Sequence, residues 1–295
     1  MVIYEIGSAD ALNVDGICVG TRGGRRYRIR VCGGRMDARR RQLLADALNR
    51  AILPDSNVTM PDIFLADRRY YSAEVIDENE LHGCPSSALC LLGLGHRRRI
   101  VLSAVSAVAT LERANIVHGS LSPECFRLCR ASDGSFYMRL TGLARAGIRQ
   151  VMCPDRRGDM TWQAPNGPDD AGSLSATEDT YALGMCIHYW LTGDTPVWAE
   201  VSERQISLLS DQLGEALIPV VGMMLAPKPE QRPLPSAVLR MFGGKITATS
   251  KTRYAQYTGG QYSADYAGDV TDALLLEDPT CTLDFDRDAA KEMRW

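Results

Sequence analysis

Residues 118–126 read HGSLSPECF, and this stretch decides the fold of the chain. The preceding residues, 99–115, place apolar side chains along most of a helix surface, which predicts a largely buried helix that runs directly into the stretch. The following residues, 125–130 and 135–140, flank a turn signal at 132–134, which predicts two antiparallel strands. The sequence therefore predicts a short polar loop between a buried helix and a strand pair.

The N-terminal part of the chain has the pattern of a small sheet with one helix. Candidate strands occupy residues 2–6, 17–21 and 26–32, and two more fit within residues 61–77. Between them, residues 37–52 repeat apolar side chains at helical spacing. The predicted order is three strands, one helix and two strands.

The rest of the chain is mainly helical in pattern. Further helices are predicted over residues 177–192, 203–225 and 235–242. Beyond them, residues 246–269 are polar and rich in Thr, Gly and Tyr, which is typical of an extended or disordered segment, and residues 273–276 form a small apolar group. The whole pattern predicts an α+β protein with strands first and helices after.

Composition argues against several function classes. The 295 residues carry a net charge of −3, so nothing marks nucleic acid or a membrane as an electrostatic partner. No apolar run reaches the roughly 18–20 residues of a membrane span, and no signal peptide is visible at the N-terminus. None of the nine cysteines forms a C-x-x-C pair, so a zinc site is not expected, while one or two disulfides would fit a secreted protein.

Six short segments resemble the motifs of protein kinases, in the same order and at similar spacing. They are RYRIRV at 26–31, HGSLSPECF at 118–126, LTGLAR at 140–145, APN at 164–166, DTYALG at 179–184 and PEQRP at 229–233. They stand in place of V-A-I-K-V, H-R-D-L-x-x-x-N, D-F-G-L-A-R, A-P-E, D-x-W-S-x-G and a late arginine-containing turn. The resemblance implies a bilobal protein kinase-like fold, with a β-rich N-lobe at 1–78, a helical C-lobe at 79–245 and an extension at 246–295.

Finer details are similar to the rhoptry kinase and pseudokinase family of apicomplexan parasites. The shared features are H-G-x-x-x-P-x-x-F, L-T-G, D-T-Y-A-L-G followed by I-H-Y-W, and P-L-P after the late arginine. This resemblance implies secretion from the parasite, through a rhoptry or dense granule, into a parasitophorous vacuole, a cyst wall or the host cell, and a role in virulence.

The groups that touch ATP and metal in kinases are replaced in this chain. Arg30 stands in place of the strand lysine, and its planar guanidinium does not copy a compact ammonium. Ser120 replaces the catalytic aspartate with a hydroxyl that is too weakly basic to accept a proton. Cys125 and Leu140 replace the two metal ligands, and no lysine precedes Lys228. The resemblance therefore implies a pseudokinase rather than an enzyme.

Other parts of a nucleotide site are also missing. The glycine-rich loop would fall on residues 11–18, which keep only one of its glycines, and residues 37–52 offer no glutamate to pair with Arg30. Arg30 is open to two interpretations, an exposed strand arginine or a retained phosphate contact. Glu124 and Asp133 are the acids that could substitute for the lost metal ligands. We expect weak or absent ATP–Mg binding, no cofactor and no bound metal.

Positions that support the kinase architecture are mostly kept. The resemblance implies that His118 packs beside the turn that contains Gly142, and that Asp179 holds the backbone of the 118–126 loop. Asp179 would also suit a helix N-cap. Arg232 matches the arginine that anchors the A-P-E segment through an ion pair, which Asn166 would weaken to a hydrogen bond.

This contrast predicts a folded binding protein, because random decay would affect both sets of residues alike. The leading hypothesis is a secreted, inactive pseudokinase that binds another protein, an active kinase or a host factor, as a scaffold or allosteric regulator. One alternative is a phosphoryl- or nucleotidyl-transferase with a remodelled cleft, and another is a structural component of a vacuole or cyst wall. Arginine clusters at 22–28, 39–41 and 97–99 would form either a basic surface for an acidic partner or solvated faces.

Overall fold

A computed structural model describes residues 4–6, 17–32, 36–52, 56–81, 89, 92–154, 160–165, 175–193, 213–214 and 217–243. The fold is a mixed α+β fold, with a β-rich N-terminal region followed by helices. The glycine-loop counterpart at 11–16, Asn166 and the extension at 246–295 lie outside the described residues.

A five-stranded antiparallel sheet forms the N-terminal region. Its strands are β1 (Glu5–Ile6), β2 (Ile17–Arg22), β3 (Arg25–Val31), β4 (Asp62–Ala66) and β5 (Arg69–Val75), in the spatial order β1-β2-β3-β5-β4. Gly23 and Gly24 connect β2 to β3, and both have positive φ, 57° and 76°, which glycine adopts without strain. Strand β3 is central, so its side chains are positioned by neighbours on both sides.

Helix α1 (Ala38–Ala51) lies in sequence between β3 and β4, so the predicted order of elements is confirmed. The Asp37 side chain caps it by accepting a hydrogen bond from the backbone N–H of Arg40 at 2.7 Å. Leu44 and Leu48 are buried on its inner face.

The second arginine cluster is only partly solvated, because Arg40 points inward. Its guanidinium is buried and donates to the carbonyl oxygens of Cys153 at 2.7 Å and Ala146 at 3.1 Å. Arg39 and Arg41, on either side, are exposed. The expectation of either a basic surface or a solvated face is therefore wrong for Arg40, which ties α1 to the 145–153 segment.

In the described residues, four α-helices and two small strand pairs follow. They are α2 (Leu94–Arg113), β6 (Ile116–Val117) paired with β9 (Gly147–Ile148), β7 (Phe126–Arg130) paired with β8 (Phe136–Leu140), α3 (Ala176–Thr192), α4 (Ile218–Met224) and α5 (Pro235–Gly243). Helix α2 begins earlier than the predicted residue 99. The predicted helix at 203–225 is described over α4 only, and residues 201–212 lie outside the described residues.

One large hydrophobic core runs through the molecule from α1 and α2 across β7 and β8 to α3, α4 and α5. Eight residues of α2 are buried, which confirms the predicted buried helix before the 118–126 loop. A small separate cluster of Cys18, Ile29 and Ala73 packs with aromatic side chains on the sheet. Among the described helices, none combines the length and apolarity needed to cross a membrane.

Candidate functional site

The 118–126 loop is held from beneath by a buried carboxylate. Asp179 lies in the first turn of α3 and is 2% exposed. It accepts hydrogen bonds from the backbone N–H groups of His118 at 2.7 Å and Gly119 at 2.8 Å. Ser175, and not Asp179, caps α3, so the alternative interpretation of Asp179 as an N-cap is wrong. The observed contact is the one that the kinase resemblance implies for this position.

His118 joins the loop to the turn after β8. Its Nε2 lies 3.0 Å from the Thr141 carbonyl oxygen, and the imidazole is 1% exposed. Gly142, the next residue, has a φ of 86°, and a Cβ built there would lie 3.4 Å from His118 Nε2. A side chain at position 142 would therefore be strained and would crowd the imidazole.

Cys125 lies beside His118. The same Cβ position at Gly142 is 3.6 Å from Cys125 Sγ, and the thiol lies 3.4 Å from the Ser120 carbonyl oxygen. Burial disfavours the charged form of both side chains. His118 nevertheless lowers the pKa of the Cys125 thiol. Cys125, Asp179 and the Thr141 carbonyl in turn raise the pKa of His118 to about 9. The structure therefore places a thiol next to the His118 imidazole.

A cavity of about 170 Å³ opens above the loop, between it and the sheet. Its polar lining includes Arg30, Ser72, Glu74, His118, Ser120, Ser122, Glu124, Cys125, Arg145 and Gln163. The structure therefore brings together Arg30, Ser120 and Cys125, three of the four replaced positions. Asp179 and Arg232 are not in this lining, because they support the loop and the helices from within.

Leu140, the fourth replaced position, faces the core instead of the cavity. It is fully buried at the end of β8. Its backbone pairs with the 57–59 segment, with the Leu140 N–H donating to Asn57 O at 2.8 Å and the Thr59 N–H donating to Leu140 O at 2.7 Å. A metal ligand at this position would need to leave the core.

Glu74 is an acidic group of this site that no sequence motif marked. It lies on β5 opposite Arg28, is 2% exposed, and accepts a hydrogen bond from the Gly142 N–H at 2.6 Å. Of the two acids considered as substitute metal ligands, Glu124 lines the cavity, whereas Asp133 lies in the turn between β7 and β8, where its carboxylate accepts from Ser135. An acid between Ala73 and Val75 in a predicted strand was the available signal for Glu74.

An ion-pair cluster around Glu80 connects the sheet to β7. Arg28 Nη2 lies 2.6 Å from Glu80 Oε1, and Arg127 Nε lies 3.7 Å from the same oxygen. Nearby, Arg139 Nη1 pairs with Asp77 at 2.6 Å. Arg28 lies on β3, the strand that also carries Arg30, and Arg127 lies on β7, which begins directly after Cys125. Charged side chains therefore connect β3 of the sheet to β7 through Glu80.

Arg232 is buried and holds the turn before α5. It donates to the carbonyl oxygens of Ala226 and Pro227, at 2.7 Å each, and lies 4.9 Å from the centre of the Tyr181 ring. The implied contact with Asn166 falls outside the described residues.

The described residues do not reproduce the metal-binding arrangement of a kinase. Among the described residues, no group of three or more His, Cys, Asp or Glu side chains is placed to hold a metal ion. Leu140 is buried in the core, and Glu74 is already bonded to Gly142. No protein-family model matches the chain, and comparison with curated proteins finds no match.

Proposed function

We propose that this chain is a pseudokinase: a bilobal kinase-like fold that has lost phosphoryl transfer and acts by binding another protein. The proposal is supported by the order of elements, with α1 inserted in a five-stranded sheet and a loop between a buried helix and the β7–β8 pair. The N-lobe would span residues 1–78 and the C-lobe residues 79–245.

The observation that carries the proposal is a loop whose support is intact and whose reactive groups are gone. Asp179 fixes the backbone of His118 and Gly119. The cavity above presents a serine hydroxyl and a cysteine thiol where a kinase has a carboxylate and an amide. Without a general base, a rate factor of about 10²–10⁴ is lost, and without metal ligands the charge on a transferring phosphoryl group is not neutralised.

Nucleotide binding is further opposed by the charges that span the cleft. Glu74 brings a buried negative charge to the Gly142 amide, where it would repel phosphates. Arg28 and Glu80 form a short, largely buried ion pair between the walls, and opening it would leave charges unpaired. Weak or absent ATP–Mg binding follows from the proposal.

By family resemblance, the partner is an active kinase or a host factor. The protein would be secreted from a parasite by a rhoptry or dense granule and would act in a parasitophorous vacuole, a cyst wall or the host cell. A folded kinase-like surface without turnover suits a scaffold or an allosteric regulator, because binding alone shifts the partner between conformations.

The proposal is tested by two measurements on the full-length protein. Thermal unfolding is recorded with ATP alone, with Mg²⁺ alone and with both, and phosphate transfer from labelled ATP is assayed beside an active kinase. We expect no magnesium-dependent rise in melting temperature and no transfer. A clear rise that requires both components, or labelled product, would contradict the pseudokinase proposal.

A transferase with a remodelled cleft remains the second candidate because two acids, Glu74 and Glu124, line the same cavity. It predicts that Glu74→Gln abolishes a magnesium-dependent nucleotide response in the thermal assay above. If the wild type gives no response, this candidate is excluded.

The cyst-wall alternative depends on covalent assembly through cysteines. Cys153 is exposed and could form a bond between chains, whereas the other described cysteines are buried and poorly placed for one, namely Cys18, Cys32, Cys125, Cys129 and Cys186. Cys84, Cys90 and Cys281 lie outside the described residues. Non-reducing electrophoresis of protein from its natural source distinguishes this alternative, because wall assembly gives covalent oligomers and the pseudokinase proposal gives a monomer band.

A further inference from the structure

Two arginines share the Glu80 carboxylate, and a third lies on the same strand face as one of them. Arg28 and Arg30 are two residues apart on β3, so their side chains leave the same face of the sheet. Arg127 approaches from β7. The side chains of Arg28 and Arg127 are 13% and 25% exposed, and that of Glu80 is 7% exposed. Two largely buried cations therefore meet one carboxylate, and Arg30 adds a third positive charge on β3.

Two of the acids near these arginines are already engaged. Asp77 pairs with Arg139 at 2.6 Å, and Glu74 accepts from the Gly142 amide. A third acid, Glu124, lines the cavity together with Arg30. Burial, together with the positive charges of Arg28 and Arg30, lowers the pKa of Arg127 against the opposing effect of Glu80.

Each of the three arginines also has a buried N–H group without an acceptor among the described residues. These are Arg28 Nη1, Arg30 Nε and Arg127 Nε, the last lying beyond hydrogen-bond distance from Glu80. Buried donors are nearly always satisfied in folded proteins, so these N–H groups need acceptors from water or from a bound group. Glu80 orients the guanidinium of Arg28 and leaves its other donors available.

We propose that Arg28, Arg30 and Arg127 bind a phosphate monoester at the mouth of the cleft. A phosphate monoester carries about −1.5 to −2 charges at neutral pH and three acceptor oxygens, which match donors from three guanidinium groups. A carboxylate ligand would supply only one charge and two acceptor oxygens, which is what Glu80 already supplies. The site differs from a nucleotide–metal site because it needs no cation.

This inference deepens the proposed function and rests on it, because the cleft must be free of nucleotide. The phosphate would come either from a phosphorylated side chain of the protein partner or from a free phosphate compound. Because the arginines lie on β3 and β7, the bound group would link the two walls of the cleft.

The test uses the full-length protein and measures affinity by calorimetry for three probes. They are inorganic phosphate, a blocked Gly-Gly-pSer-Gly-Gly peptide and the same peptide without phosphate, each in chloride buffer of equal ionic strength. We expect binding of the phosphorylated probes and none of the unphosphorylated peptide. Tighter binding of the phosphopeptide than of inorganic phosphate assigns the site to a phosphorylated partner, and equal or weaker binding assigns it to free phosphate.

Three variants make the test specific. Arg127→Gln removes one guanidinium and should weaken phosphate binding at least about tenfold, the effect of losing a charge-assisted hydrogen bond. Arg130→Gln, on the exposed end of the same strand, is the matched control and should bind as the wild type does. Glu80→Gln removes the competing carboxylate and should strengthen binding roughly three- to tenfold.

The Glu80→Gln variant keeps the proposal testable if Arg127→Gln does not fold. A wild-type protein that binds neither phosphorylated probe, or a Glu80→Gln variant that binds no more tightly, would overturn the phosphate site. Neither result touches the proposed function, which fails only on a magnesium-dependent response to ATP.

Discussion

The two sides of the 118–126 loop differ in what they have kept. Beneath the loop, Asp179 binds two backbone amides, and Arg40 and Arg232 bind carbonyl groups of the segments around it. Above the loop, Ser120 and Cys125 line a cavity in which no acid–metal cluster forms among the described residues. The lower side determines where the backbone lies, and the upper side determines what chemistry is available.

The difference shows that backbone support and reactivity are separable in this molecule. A buried carboxylate that satisfies two amides cannot be replaced cheaply, since each unsatisfied buried donor costs about 1–3 kcal/mol. A side chain on a cavity wall can be substituted with little effect on stability, because water or a neighbouring residue forms the hydrogen bonds that its polar groups need. Stability alone therefore constrains the lower side of the loop more strongly than the upper side.

The largest expected effect is at Leu140, where a single substitution tests the difference between the two sides of the 118–126 loop most directly. Leu140→Asp restores a kinase-like carboxylate but buries it in the core. We expect the free energy of unfolding to fall by about 5 kcal/mol or more, from lost packing and an unpaired buried charge. Urea denaturation measures the change, and Leu140→Met, which conserves volume, is the control. A stable Leu140→Asp protein that gains magnesium binding would show that this position belongs to the cleft.

Asp179→Asn tests the support of the loop directly. The amide keeps one acceptor and turns a donor towards the second backbone N–H, so we expect a loss of about 2–4 kcal/mol in unfolding free energy. Asp46→Asn, on the exposed side of α1, should leave the denaturation midpoint unchanged. Equal midpoints for the two variants would mean that the contacts of Asp179 do not support the loop.

Arg40→Gln should destabilise the contact between α1 and the 145–153 segment. The buried guanidinium donates to the carbonyl oxygens of Cys153 and Ala146, so its loss should cost about 2 kcal/mol. Hydrogen exchange should increase at residues 145–153, and Arg41→Gln is the exposed neighbour for comparison. No difference between the two variants in exchange would contradict the internal role of Arg40.

The smallest effect concerns the upper side, at Cys125. Because His118 lowers the pKa of the Cys125 thiol, its alkylation by iodoacetamide should reach half-maximal rate below the usual thiol pKa of 9.0. The rate rises with pH through the thiolate fraction, so His118→Gln should move the midpoint upward. Mass spectrometry of the Cys125 peptide follows the reaction. A midpoint that His118→Gln leaves in place would show that the imidazole does not act on this thiol.

Periodicity predicted most of the described elements well. The three helices at 37–52, 177–192 and 235–242 were located to within about one residue at each end, since apolar spacing and capping residues mark them in the sequence. The start of α2 was missed because His96-Arg97-Arg98-Arg99 hides a helical turn behind charged residues. Charged side chains cover the outer face of a helix as readily as they fill a loop.

The candidate site was predictable only in part. Motif order predicted that Arg30, Ser120, Cys125 and Gly142 would meet, and they line one cavity. Glu74 and Glu80 had no motif to mark them, and the motif at 26–31 did not indicate a partner for Arg28, because these partners lie up to 68 residues away along the chain. Such contacts depend on the register of β3 against β5 and on how the sheet faces β7.

By itself, the sequence determined the α+β class, the order of the elements and the side chains at positions 30, 120, 125 and 140. These are local properties, because residue type and spacing determine both the helical period and the chemistry of each side chain. Only the tertiary structure decided that Leu140 is in the core, that Glu74 reaches Gly142 and that Arg28 and Arg127 share Glu80. Burial and ion pairing depend on which distant segments meet, and that is settled by packing.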